Sequence, residues 1–184
     1  MKWWEKTVEY YFVLNHLNTA SIAPLDGKEE KAGDAIFAEG SKLILIEFKR
    51  DKSALDSERS KFTNFEKAKL DLQNQDSHHL IIYGVIKNNE FTLKAQTYFS
   101  SHDYTNMECV LKSGKEKEEF LKYLEAFLTH KKDDPSDGGG PNYGLVAAVN
   151  NEGEIIQCKS LEEFLSLAEP NIEQGNDKTM EMNM

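Results

Sequence analysis

The sequence predicts an α/β fold: a core in which helices flank a central mixed sheet, with a small C-terminal ββα appendage. Three observations carry the layered α/β part. Apolar residues recur at helical spacing over 3–17, 62–73 and 116–130. The run Lys42–Arg50 is apolar on both sides, with Leu43 and Leu45 on one and Ile44, Ile46 and Phe48 on the other, as in a strand covered from both faces. The resulting order of helix, strands, helix, strand, strand, helix is that of a layered α/β domain.

The first helix carries two adjacent stripes, one of Trp4, Val8, Tyr11 and Phe12 and one of Tyr10, Val13, Leu14 and Leu17. So much apolar surface predicts a deeply packed helix, with the two tryptophans, Tyr10 and Tyr11 in the core rather than stacked on nucleic-acid bases. Residues 18–33 read as a loop around Pro24 and Asp26-Gly27. Asp34–Glu39 and Lys42–Arg50 are β-rich runs separated by Gly40-Ser41, a plausible two-residue hairpin turn. Residues 53–61 read as a loop and 62–73 as a helix with Phe62, Phe65, Ala68 and Leu72 inward. Leu80–Ile86 is a second buried strand, opened by His78-His79, whose side chains on a strand point to opposite faces. A turn at Asn88-Asn89 leads to a strand at 91–99, and Met107–Leu111 is read as a short strand. The helix 116–130 presents Phe120, Leu121, Leu124, Phe127 and Leu128 along one side.

Residues 1–132 thus form the core, and 133–141 (DDPSDGGGP) read as a flexible linker. Residues 142–169 form the ββα unit, two strands around an Asn150–Gly153 turn and a helix opened by Ser160 and Glu163 at capping-box spacing. So small a unit is expected to dock on the main domain or on a partner. Residues 170–184 are polar and read as a disordered tail.

The 184 residues are 39% hydrophobic and 29% charged, ordinary values for a soluble globular protein. No apolar run approaches the length of a membrane span, no secretory signal is evident, and Cys109 and Cys158 read as reduced core thiols, so the expected location is the cytoplasm. A net charge of −10 excludes a protein coated for tight non-specific nucleic-acid binding. The charge is uneven, however. Residues 49–69 carry a net +3, and the chain from Glu116 onward a net −9. Arg50, Lys52, Arg59, Lys61 and Lys67 are therefore candidate phosphate contacts, set against the alternative of an ordinary solvated face.

The hairpin concentrates chemistry. Glu47 and Lys49 project from the same face of their strand. With Gly40-Ser41 as the turn, Asp34 falls directly opposite Glu47, with Cβ atoms roughly 4.5–5.5 Å apart. Two carboxylates so placed need a cation, either a metal ion or Lys49. With the Phe48 backbone carbonyl they form a hard oxygen site suited to Mg²⁺ or Mn²⁺. Such an ion activates water, and Lys49 would orient that water or stabilise developing charge. The competing reading is a solvent-facing Asp/Glu/Lys salt-bridge cluster.

At Glu9, Gly33-Asp34 and Glu47-Phe48-Lys49 the chain resembles the PD-(D/E)xK nuclease superfamily, whose fold is called restriction-endonuclease-like. The resemblance extends to the helix at 62–73 and the strand at 80–86. Glycine stands where the signature has proline before Asp34, and no Gln-x-x-x-Tyr of the RecB-like branch follows. The resemblance implies Mg²⁺ on Asp34 and Glu47, with Lys49 assisting the attacking water. It implies Glu9 as a direct or outer metal ligand and Lys69 or Gln73 as an auxiliary group. The expected activity is metal-dependent phosphodiester cleavage of DNA, as an endo- or exonuclease, with a protein partner or homo-oligomer supplying positive surface. The alternative expectation is a non-catalytic protein-binding subunit on the same fold, whose acidic C-terminal part binds a basic partner.

Overall fold

The computed structural model describes residues 3–16, 40–132 and 144–168. Asp34, the strand expected at 34–39, the linker and the tail lie outside the described residues. The elements are α1 (Glu5–His16), β1 (Lys42–Lys49), a 3-10 segment (Lys52–Lys61), α2 (Phe65–Leu72), β2 (His79–Lys87) and β3 (Glu90–Thr97). After these come α3 (Met107–Leu111), α4 (Lys117–His130), β4 (Leu145–Val149), β5 (Ile155–Ser160) and α5 (161–168). The strands form one mixed sheet in the order β3-β2-β1-β4-β5. Among the described strands only β1 and β2 are parallel, and the crossover such a pair requires runs through the 3-10 segment and α2.

The double-sided apolar pattern of β1 is explained by its place in the middle of the sheet. Leu43 and Leu45 join a core under α2, α4 and α5 that includes Leu72, Phe120, Leu124, Phe127 and Phe164. Ile44, Ile46 and Phe48 join a second core with Val8 and Phe12 of α1 and Val110 and Leu111 of α3. Burial of each such side chain is worth roughly 1.5–3 kcal/mol, so both faces contribute to holding β1 in place.

The sheet's neighbours correct the expected hairpin. One edge of β1 pairs Lys42–Ile46 with Val149–Leu145 of β4, and the other pairs Leu45–Lys49 with His79–Tyr83 of β2. On that second edge Lys115 also exchanges both backbone hydrogen bonds with Leu43. No edge of Lys42–Ile46 is left for residues 35–39, although Gly40 does take the left-handed φ of a turn glycine, 79°. The ββα unit docks by extending the sheet rather than by resting on it. Its helix opens with the expected capping box: the Glu163 N–H donates to Ser160 Oγ, and the Ser160 N–H donates to Glu163 Oε2.

Other expectations are corrected in the same way. The first helix buries one stripe, Val8 and Phe12, while Trp4, Tyr10 and Leu14 are exposed, Leu14 at 82%. It rests on one face of the sheet, so only that stripe is covered. Residues 107–111 are helical because Asn106 caps them, its side chain accepting from the Cys109 N–H. Cys109 is exposed and so is no core thiol, whereas Cys158 is mostly buried, and both are free. The segment 53–61, expected as a loop, is 3-10 helix capped by Asp51. The turn at Asn88-Asn89 is as expected, with φ of 53° and 65°. Among the described residues no helix is long and apolar enough to cross a membrane.

Candidate active site

Strand alternation sends Glu47 and Lys49 to the face covered by α4, as it sends Leu43 and Leu45. Both are buried, Glu47 to 3% exposure, at the end of β1 that runs beside β2 in parallel. Three neighbouring segments bring charge to them. The 3-10 segment turns the chain back so that Glu58 is buried. Its end is tied to the end of α4 by a short bridge, in which the Thr63 N–H donates to the His130 carbonyl and the Lys132 N–H to the Lys61 carbonyl. That bridge sets Lys61 and Lys131 on neighbouring strands of backbone. The buried Asp76 carboxylate accepts from the Phe99 and Ser100 N–H groups, which fixes the turn carrying Tyr98.

Glu58 is the hub of the resulting cluster. Its Oε1 lies 2.5 Å from Lys49 Nζ and 2.8 Å from Lys61 Nζ. Its Oε2 accepts from the Tyr98 hydroxyl at 2.6 Å and lies 3.8 Å from Lys131 Nζ. Lys131 also donates to Tyr98 Oη at 3.2 Å, and its ammonium sits over the Phe62 and Phe127 rings at 4.2 and 4.6 Å. Tyr98 stacks on His79, centroids 4.1 Å apart, and His79 Nδ1 hydrogen-bonds the Tyr123 hydroxyl at 2.9 Å. The polar cluster is thus rooted in the aromatic core.

The two buried glutamates differ in kind. Burial alone would raise the Glu58 carboxyl, but the Lys61, Lys49 and Lys131 ammoniums outweigh it and hold it at about 2. Glu47 is pushed the other way, to about 7, by burial first and by the Glu58 carboxylate second, with the same lysines only partly opposing. Its Oε1 is buried and has no hydrogen-bond partner among the described residues. Burial lowers Lys131 to about 8 against the pull of both glutamates. Among the described residues Glu47 is thus a buried carboxyl outside any ion pair, whereas Glu58 has three lysines against it.

Not every expected site residue comes to this place. Glu9 pairs with Lys6 of its own helix at 2.7 Å, and the first-helix acid facing the cluster is Glu5, whose Oε2 lies 3.9 Å from Lys49 Nζ. Trp3 pins that end of α1 by donating from its indole to the Arg50 carbonyl at 2.6 Å. Phe48 sends its side chain into the opposite core. Lys69 and Gln73, at the end of α2, do not enter the ion-pair cluster. Of the basic stretch, Lys61 belongs to the cluster, Arg50 pairs with Asp51, and Lys52, Arg59 and Lys67 are exposed. His78 and His79 do not diverge, because His78 belongs to a 3-10 turn before β2. Both are buried against the Tyr123 ring, and burial pushes both below the ordinary histidine value. No three Asp, Glu, His or Cys side chains converge as a metal cluster among the described residues.

Gly144, the residue before β4, packs against the backbone of β1 beside Glu47. Its φ is +94°, and a Cβ there would collide with the Ile46 carbonyl oxygen and stand 3.4 Å from the Glu47 carboxyl carbon. Gly144→Ala is expected to cost roughly 2–4 kcal/mol through backbone strain and overpacking, read as a lower urea midpoint with unchanged slope.

No protein-family model, no curated protein and no solved structure matches this chain at a significant level. Fold and site together define a mixed α/β domain with a glutamate–lysine cluster buried at the end of its central strand.

Proposed function

We propose that the chain is a Mg²⁺- or Mn²⁺-dependent phosphodiesterase acting on DNA, built on a restriction-endonuclease-like core, with Glu47 a metal ligand and Lys49 the adjacent cation. One observation carries the reading: the buried Glu47 Oε1, without a hydrogen-bond partner among the described residues, interrupts the apolar run Leu43–Phe48 two residues before a buried lysine. Ligand sites of open α/β sheets gather at the carboxyl ends of parallel strands, which is where Glu47 and Lys49 stand on β1 beside β2.

An unpaired hard oxygen fits a divalent cation, and Asp34 is the second ligand in this reading. Glu58 does not suit that role, since lysines and Tyr98 already take both its oxygens. Bound there, Mg²⁺ or Mn²⁺ supplies water activation and charge neutralisation on phosphate. Lys49, placed by its contact with Glu58, stabilises negative charge developing on the phosphoryl oxygens. Exposed Lys52, Arg59 and Lys67 contact the DNA backbone.

Purified protein with Mg²⁺ or Mn²⁺ is expected to cleave DNA, and Asp34→Ala or Lys49→Ala to lower the rate by about 10²–10³-fold or more with the fold kept. Undiminished cleavage by both variants would rule the assignment out.

A second reading, a non-catalytic protein-binding subunit, is favoured by the exposed Trp4, Tyr10 and Leu14 of α1. It calls for a copurifying partner and no cleavage. Deletion of 170–184, which leaves β4 and β5 in the sheet, is expected to release that partner if the acidic tail holds it.

A further inference from the structure

We propose that Glu58 is the positioning residue for Lys49, fixing its ammonium beside Glu47 so that the lysine acts as a stationary cation; this rests on the nuclease reading of the same strand. A lysine side chain is a flexible four-carbon stem carrying about 2 kcal/mol of rotamer entropy, so strand register alone does not place its charge. In this protein the ammonium is placed by a contact of 2.5 Å with Glu58 Oε1, while Glu5 stands further off at 3.9 Å.

Glu58 is suited to the task because it is itself immobile. Lys61 shares its Oε1, and the Tyr98 hydroxyl and Lys131 take its Oε2. The backbone that carries it is fixed at both ends, by the Asp51 cap and by the Phe62–Lys131 bridge. Tyr98, in turn, rests on His79 in the core. A plain structural role explains this less well. Replacing a buried ion-pair cluster by packed apolar residues is commonly neutral or stabilising, so fold stability alone does not call for one on a face otherwise made of Leu43, Leu45 and Ile81.

The test uses the full chain as wild type, as Glu58→Asp, and as Glu58→Gln combined with Lys131→Met. The last pair removes one negative and one positive charge together, so it folds even where Glu58→Gln alone does not. Lysine acetylation of the folded protein by acetic anhydride, without metal or DNA, is followed peptide by peptide. Lys49 is expected to be protected in the wild type and labelled at least tenfold faster in both variants, with Lys52 and Lys67 unchanged. With DNA and Mg²⁺, both variants are expected to lose about 100-fold in kcat at a KM within twofold of wild type. Continued protection of Lys49 in the variants overturns the proposal whatever the activity. A freed Lys49 with unchanged kcat also overturns it, leaving Glu58 a structural partner only. Absence of cleavage by the wild type sinks the nuclease reading instead, and the labelling alone then decides whether Glu58 holds Lys49.

Discussion

Glu58→Gln is expected to lower the stability of the folded protein by about 3–5 kcal/mol, the range for removing one partner of a buried ion pair. The size follows from what remains. Lys49 and Lys131 are buried and Lys61 is partly so, and in the variant they face Glu47 without the carboxylate that pairs with all three. The Tyr98 hydroxyl keeps an acceptor in the amide oxygen, so the loss is one of charge rather than of hydrogen-bond count. The pH dependence carries the signature. The Glu58 carboxyl is held at about 2 in the folded chain, below its ordinary 4.5. Its contribution is therefore complete above pH 4.5 and is lost as pH falls toward 2. Urea midpoints measured between pH 7 and pH 3 should show this acid limb in the wild type and a shallower one in Glu58→Gln. Equal midpoints at pH 7 would mean that the cluster is solvated and of little energetic weight.

Glu47→Gln is expected to act in the opposite direction and to raise stability. The folded-state value of Glu47 is raised, from 4.5 to about 7, so the proton is bound more tightly in the folded chain. Its stabilising contribution is present below pH 4.5 and disappears as pH rises through 7. At pH 8 the wild type carries an ionised, buried carboxylate whose Oε1 has no hydrogen-bond partner among the described residues. A raised folded-state value means that ionising this carboxyl costs folding free energy, so the neutral amide is expected to be the more stable form at that pH. Glu47→Gln should thus melt higher than wild type at pH 8 and equally at pH 4, while losing DNA cleavage. A residue whose removal stabilises the fold and abolishes the activity is held there for function rather than for folding.

These two glutamates also mark how far the sequence could be read. The central position of β1 was plain, because Leu43 to Ile46 and Phe48 require cover on both faces, and both covers are present. Glu47 and Lys49 followed from strand alternation alone. The partner on the free edge did not follow. Gly40-Ser41 followed a β-rich run and suggested a local hairpin, whereas the neighbour is β4, about a hundred residues away and carrying no local sign of its pairing. Glu58 was hidden because it sits among serines and exposed charges in a segment without helical or strand periodicity. Its spacing to Lys61, three residues on, was the one available signal. In α1 two apolar stripes were visible, but only a sheet on one side decides that Val8 and Phe12 are covered and Tyr10 and Leu14 are not. Asn106 was a legible cap that outweighed the apparent β character of 107–111.

The central claim is that Glu47 is held unpaired to receive a divalent cation. The most direct measurement is the thermal midpoint of wild type and Glu47→Gln at pH 8, each with and without millimolar Mn²⁺. Binding to the folded state alone raises stability by about 2.7 kcal/mol at a hundredfold excess over Kd. The account predicts a clear rise in midpoint with Mn²⁺ for the wild type and none for Glu47→Gln. The same rise in both proteins, or none in the wild type, would contradict it.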